Sequence, residues 1–246
     1  DSRRDVLAGL AATRGVEVAF RAPGGAGSMR VFGEAVTDGY FHVLGVKPHL
    51  GRTLLSLPDG RLSAVPEVVL SHRFWQRGLD ADPDIVGKTV WLSGARFTVG
   101  GVTPAAFRGT YSLSVFVPDF WVPIGAVPQF QPGSEAMFRD RSARSLSVIG
   151  RLKEGITVAR AQAALRMVAA NLERAHPQSN AGVIPLVFRE TDTRPEVYNS
   201  TAANLAAALF LAFAALALVV ACANLANLML ARAAARSREI ALRLAL

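Results

Sequence analysis

Residues 205–223 read LAAALFLAFAALALVVACA, nineteen positions without a charged side chain, and Arg232, Arg236 and Arg238 follow soon after. At about 1.5 Å of rise per residue, a helix of this length matches the roughly 30 Å hydrocarbon core of a bilayer. A helix also satisfies its own backbone polar groups there, which an irregular segment cannot do. The competing reading is a buried central helix of a soluble domain. Uninterrupted apolarity of this length, with a polar start and a basic end, instead predicts a membrane span over residues 202–230.

The segment after it, residues 231–246, carries Arg232, Arg236, Arg238 and Arg243 against the single acid Glu239. Positive charge beside a span favours the cytoplasmic face, so a single crossing places residues 1–198 in a periplasm or on a cell exterior, and the span in the cytoplasmic (inner) membrane. The sequence begins at Asp1 without an initiator Met and stops at Leu246 in mid-pattern, and it reads as a piece of a longer chain in which an earlier span serves export.

The net charge of +8 is diffuse, Lys occurs only at positions 47, 88 and 153, and no basic run is interleaved with aromatics. Nucleic-acid binding is therefore not expected. The only cysteine, Cys222, lies inside the span, so the outer region must hold itself together by its core.

Along the outer region, Val6, Leu7 and Leu10 predict a short amphipathic helix. Strands are then expected at 16–21 and 29–37 around the turn PGGAGS. Residues 38–52, DGYFHVLGVKPHLGR, predict a helical turn anchored by Tyr40, Phe41, Leu44 and Val46 and broken at Gly45 and Pro48. Val68–Leu70 reads as a buried strand, and Ser71 as the cap of a helix carrying Phe74, Trp75 and Leu79. Strands at 89–92 and 96–99, joined through Ser93 and Gly94, read as a hairpin. The stretch 118–128, PDFWVPIGAVP, is expected to be extended, and 146–152 a strand ended at Gly155. Thr157 then caps a long helix whose apolar stripe, Val158, Ala161, Leu165, Val168 and Leu172, runs until His176 and Pro177. A last strand is expected at 184–188, then a polar connection at 191–201.

This order predicts an α+β fold: a two-lobed extracytoplasmic domain, a sheet-and-helix lobe from about 1–38 and 119–198 with a mostly β lobe of about 39–118 inserted, followed by one transmembrane helix.

Signs of chemistry are sparse. His42, His49, His72 and His176 lack HxxxH or HExxH spacing and read as loop or surface histidines, so no metal site is expected. Ser71 beside His72 is not flanked by a GxSxG elbow, and a helix cap explains it. Gly87, Lys88 and Thr89 resemble the end of a phosphate loop, but the position of its first glycine is Asp82. No catalytic residues and no cofactor are expected in this chain.

Four stretches carry a resemblance. CANLANLMLARAAARSREIALRLAL (222–246) is similar to the second span and cytoplasmic exit of FtsX-like permeases in the MacB family of ABC transporters. GEAVTDGYFHVLGVKPHLGR (33–52), PEVVLSHRFWQRGLDADPDIVGKTVWLSGARFTVGGVTPAAFRG (66–109) and PDFWVPIG (118–125) resemble the MacB-like periplasmic core domain in order and spacing. The resemblance implies a permease subunit rather than an enzyme. Such a subunit dimerises with itself or a paralogous permease, works with a separate cytoplasmic ABC ATPase, and transmits its stroke to the periplasmic domain for efflux or mechanotransmission. In related systems a periplasmic adaptor or outer-membrane duct takes part. The alternative is a membrane-tethered binding or sensor module without a transport role; an anchored hydrolase lacks its catalytic constellation.

Within the span, Ala208 with Ala212 and Ala217 with Ala221 have the small-xxx-small spacing of close helix packing, and Asn224 and Asn227 are expected to add interhelical hydrogen bonds. Arg236, Arg238, Glu239 and Arg243, with Arg232, form a charged side suited either to the ATPase or to anionic membrane lipid, and the resemblance favours the ATPase.

Overall fold

The computed structural model describes residues 5–55, 62–110, 117–190 and 196–244. It divides into two compact units, residues 1–192 and 193–246.

The first unit is a mixed α+β domain built on β1 (Leu7–Arg21), β2 (Met29–Val36), β3 (Leu50–Gly51), β4 (Glu67–Leu70), β5 (Thr89–Leu92), β6 (Ala95–Val102), β7 (Phe120–Pro123) and β8 (Ser147–Leu152). Six of these close a ring: β1 pairs with β2, β2 with β7, β7 with β4, β4 with β6, β6 with β5, and β5 returns to β1. A closed ring removes the open edges that an isolated sheet exposes. The closing contact is small, Phe20 opposite Leu92 and Arg21 opposite Trp91, with the Arg21 guanidinium 4.2 Å above the Trp91 ring. Strands from residues 1–38 and 119–198 thus share the ring with strands from 39–118.

Alternation decides which side chains fill it. Val16, Val18 and Phe20 of β1 enter the same core as Val68 and Leu70 of β4, Phe97 and Val99 of β6 and Phe120 and Val122 of β7, while Val69 and Trp121 face outward into a second cluster. That outer cluster is roofed by α1 (Tyr40–Leu44), which ends at Gly45 in the left-handed conformation, φ 70°.

The first strand is where the sequence expectation fails. Asp5 and Val6 are helical, but from Leu7 the chain is a 15-residue strand whose first half pairs antiparallel with β8, more than a hundred positions away in sequence. Its buried face changes along the way, from Ala11 and Thr13 in the first half to Val16, Val18 and Phe20 in the second. Local spacing in such a segment mimics helical periodicity, and the distant partner overrides it.

The other expected elements largely form. Ser93 and Gly94, both at positive φ, make the tight turn between β5 and β6. Ser71 caps α2 (His72–Gly78) by accepting from the Phe74 N–H at 3.1 Å, and Thr157 caps α4 (Val158–Ala175) by accepting from Arg160 N–H at 3.3 Å. Between them, α3 spans Ala136–Arg139, and α5 (Pro177–Asn180) follows α4. The 118–128 stretch is extended only through Pro123 and then turns into a 3-10 helix, Ile124–Gln129. Residues 184–188 form no strand ladder. The Gln162 side chain of α4 holds them instead, donating to Pro185 O at 2.5 Å and accepting from Val187 N–H at 2.7 Å. The expected polar connection lies outside the described residues at 191–195 and is helical from Glu196 onward.

The second unit is one helix, α6 (Glu196–Leu244), 49 residues long.

Candidate functional site

The most elaborate polar feature of the first unit is buried. Glu34 of β2 stands opposite Trp121 in the parallel β2–β7 register, and the Trp121 indole N–H donates to its Oε2 at 2.6 Å. The Tyr40 hydroxyl, at the start of α1, donates to the same oxygen at 2.9 Å. Because that hydroxyl has one proton, its other contacts must be donors to it: Thr110 N–H at 3.1 Å and the Thr110 hydroxyl at 3.0 Å. Burial, and then the negative charge of Glu34, push the Tyr40 phenol well above the ordinary tyrosine range, so it stays neutral. Glu34, Tyr40 and Trp121 are wholly buried, which leaves no approach for a substrate. The network pins two barrel strands and the roofing helix to one carboxylate, and Thr110 joins it through the Tyr40 hydroxyl.

A second pin lies on β4. Glu67, 2 % exposed, binds the Arg52 guanidinium at 2.5 Å and accepts from Leu55 N–H at 2.6 Å, tying the chain after β3 to the barrel. The crossing requires glycine at 101, where a Cβ would collide with the backbone of Leu50 and Arg52. Neither pin was legible as a motif, although an acid inside each apolar strand, VFGEAV and EVVL, was the available sign.

The sequence-level candidates for chemistry resolve into structure. Ser71 Oγ is occupied as a helix cap. The Gly87 and Lys88 amides donate to Val99 O and Ile85 O, and the Lys88 ammonium binds Asp82 at 2.5 Å, so this turn offers no phosphate cradle. That lysine holds the Asp82 carboxyl below the usual carboxylate range. Two open clefts stand out among the described residues. One of about 680 Å³ lies between Leu152, the start of α4 and residues 187–189; the other, about 580 Å³, is lined by Arg14, Glu17, Phe32 and Arg144–Ser147. Neither pairs a nucleophile with a base.

All the helix-packing candidates lie on α6 with their side chains exposed: Ala208, Ala212, Ala217, Ala221, Asn224 and Asn227. At 3.6 residues per turn they do not form one stripe. Ala217, Ala221 and Asn224 share one side of the helix, Ala208 and Ala212 occupy the opposite side, and Asn227 falls between. Arg232 is exposed, whereas Arg236, Arg238, Glu239 and Arg243 lie on the last turns of α6 with side chains outside the described residues. The stretch Ala207–Leu230, 24 residues, is long and apolar enough to cross a membrane.

The first unit is thus a closed ring of strands whose buried carboxylates hold it together, followed in sequence by a helix long and apolar enough to cross a membrane. The family model of the MacB-like periplasmic core domain matches residues 3–168, and the chain belongs to that family, a family of permease periplasmic domains. Among solved structures it is similar to the periplasmic region of MacB from Actinobacillus actinomycetemcomitans, at 16% identity and a TM-score of 0.49, over 73% of this chain and 72% of that one. The extracellular domain of the noncanonic ABC-type transporter YknZ from Gram-positive bacteria gives 15% and 0.49, over 74% and 82%. A domain of a putative permease protein from Porphyromonas gingivalis gives 14% and 0.48, over 69% and 70%. No curated protein matches the chain.

Proposed function

We propose that the chain is the extracytoplasmic domain and a membrane helix of an ABC-type permease of the MacB family, which carries motion produced by a cytoplasmic ATPase across the inner membrane to the outer domain. The observation supporting this reading is the continuity of α6. Its 49 residues contain neither Gly nor Pro, and the apolar 24 lie inside it. Those 24 extend about 36 Å, enough for the hydrocarbon core, while the whole helix extends about 73 Å. A helix without a hinge residue transfers displacement rather than absorbing it. The Arg-rich end, Arg232 to Arg243, orients that end toward the cytoplasm, where it meets the ATPase. The side bearing Ala217, Ala221 and Asn224 packs on a helix of a second permease copy or a paralogue, and a periplasmic adaptor engages the outer domain. ATP is bound by the partner ATPase and not by this chain.

The test is to place Pro at Ala233 in the complete permease. Membrane insertion and ATPase co-purification should persist while stimulation of the ATPase by the outer domain's partners, or transport, falls at least about tenfold, because a mid-helix proline costs about 3 kcal/mol of helix continuity. Full coupling through the interrupted helix would overturn the reading.

A further inference from the structure

The two ends of the barrel's β6 neighbourhood bring together residues that the sequence keeps 23 positions apart. Leu50 of β3 and Leu70 of β4 are both in register with Val102 of β6, on its two sides. His49, just before β3, and His72, opening α2 just after β4, therefore converge at the same strand end. His49 N–H donates to Val102 O at 2.7 Å, and the two imidazole rings lie 5.0 Å apart between centroids with planes at 69°. Trp75, one helical turn along α2, touches both rings, at 5.7 Å from His49 and 5.3 Å from His72. Next to Val102, Thr103 carries a hydroxyl that is fully buried without a partner among the described residues.

We propose that His49 and His72 form a two-imidazole binding site for a borderline divalent ion of the Zn²⁺ and Cu²⁺ class, completed by water. Two imidazoles bound through nitrogen to one tetrahedral ion at about 2.0–2.1 Å place their ring centres about 5 Å apart, which is the separation found here. His49 is exposed and His72 is half-buried, so an ion has access from solvent. Neutral imidazole is the side chain best matched to these ions, and Cu²⁺ is expected to bind more tightly than Zn²⁺. An ion here clips the chain entering β3 to the first turn of α2. The inference stands apart from the proposed transmission role and needs no ATPase.

The test uses the full chain in detergent, titrated with ZnCl₂ by calorimetry and with CuCl₂ by quenching of tryptophan fluorescence. One ion per chain is expected, with copper quenching the adjacent Trp75 and an electron paramagnetic resonance signal split by two nitrogens. His49→Gln and His72→Gln should each weaken binding at least about tenfold and reduce the coupling to one nitrogen, whereas His42→Gln and His176→Gln leave it unchanged. Thermal melts without metal confirm that the variants fold; should a Gln variant fail, the corresponding Asn variant replaces it. Binding unaltered by both substitutions would place the ion elsewhere, and no binding at millimolar metal would leave only edge-to-face ring packing; either result overturns the proposal.

Discussion

The barrel and α6 both carry many apolar side chains and treat them in opposite ways. Phe20, Phe120 and Leu92 are 0 % exposed inside the ring, whereas Phe210 and Phe213 of α6 are 79% and 77% exposed. In the first unit, alternation sends every second residue into a shared interior, so the protein supplies its own apolar solvent. In α6 the apolar residues go all the way round, and a helix apolar on every side requires an apolar medium from outside. Burial in the first region and exposure in the second are therefore the same physical preference under two solvents.

Five substitutions or conditions probe the two. The largest expected effect is Trp121→Ala, which empties a fully buried site and leaves Glu34 without its indole donor. It should destabilise the outer unit by about 3–5 kcal/mol, lowering its thermal transition while the chain still sediments with membranes. Leu218→Arg, near the middle of the apolar stretch, should do the reverse. Insertion becomes less favourable by about 3 kcal/mol and alkaline extraction releases the chain, with the barrel's melting temperature unchanged. A barrel that melts with the Arg variant, or a helix that fails to insert with the Ala variant, would show that the two units share stability.

Gly33→Ala probes packing inside the barrel alone. A Cβ there would enter the Phe120 ring, so about 1–3 kcal/mol of overpacking is expected in a denaturant titration. A fourth check is alkaline. The folded state holds Tyr40 neutral above its ordinary value, so the unfolded chain loses that proton first as pH rises. Stability is fully present below about pH 10 and falls above it by about 1.4 kcal/mol per pH unit. Tyr40→Phe should remove that slope from the pH dependence of the outer unit's unfolding free energy. The mildest is Ser71→Ala, about 1 kcal/mol through loss of the α2 cap, read as a small shift of the same melt.

Legibility in the sequence followed the range of the interactions. The caps at Ser71 and Thr157, the Ser93–Gly94 turn and the Gly45 stop were readable because each is decided within about four residues, and the apolar span because it is continuous in sequence. Trp75, Phe97 and Trp121 lie in the core, where large aromatic side chains usually go, whereas Trp91 beside Phe97 on the hairpin is only half-buried beneath Arg21. The strand at Leu7–Ala12 was not, since its conformation is set by β8 far along the chain. Ring closure was equally hidden, and so were the carboxylate pin at Glu34 and the meeting of His49 with His72. Spacing rules detect ligands on one helix or one loop, and these two are joined only by the register of β3 and β4 on β6.

Ring closure also governs how the outer domain can be made. Its last member, β7, pairs Phe120 with Gly33 and Trp121 with Glu34, so the barrel cannot shut until the chain through Pro123 has been delivered to the far side of the membrane. Until then β2 and β4 lack the strand that joins them, and each presents a bare edge able to recruit a neighbouring nascent chain. Export and folding are thereby staggered: a chain halted before Phe120 is a sticky, half-laced sheet, and the four residues of β7 turn it into a shut ring.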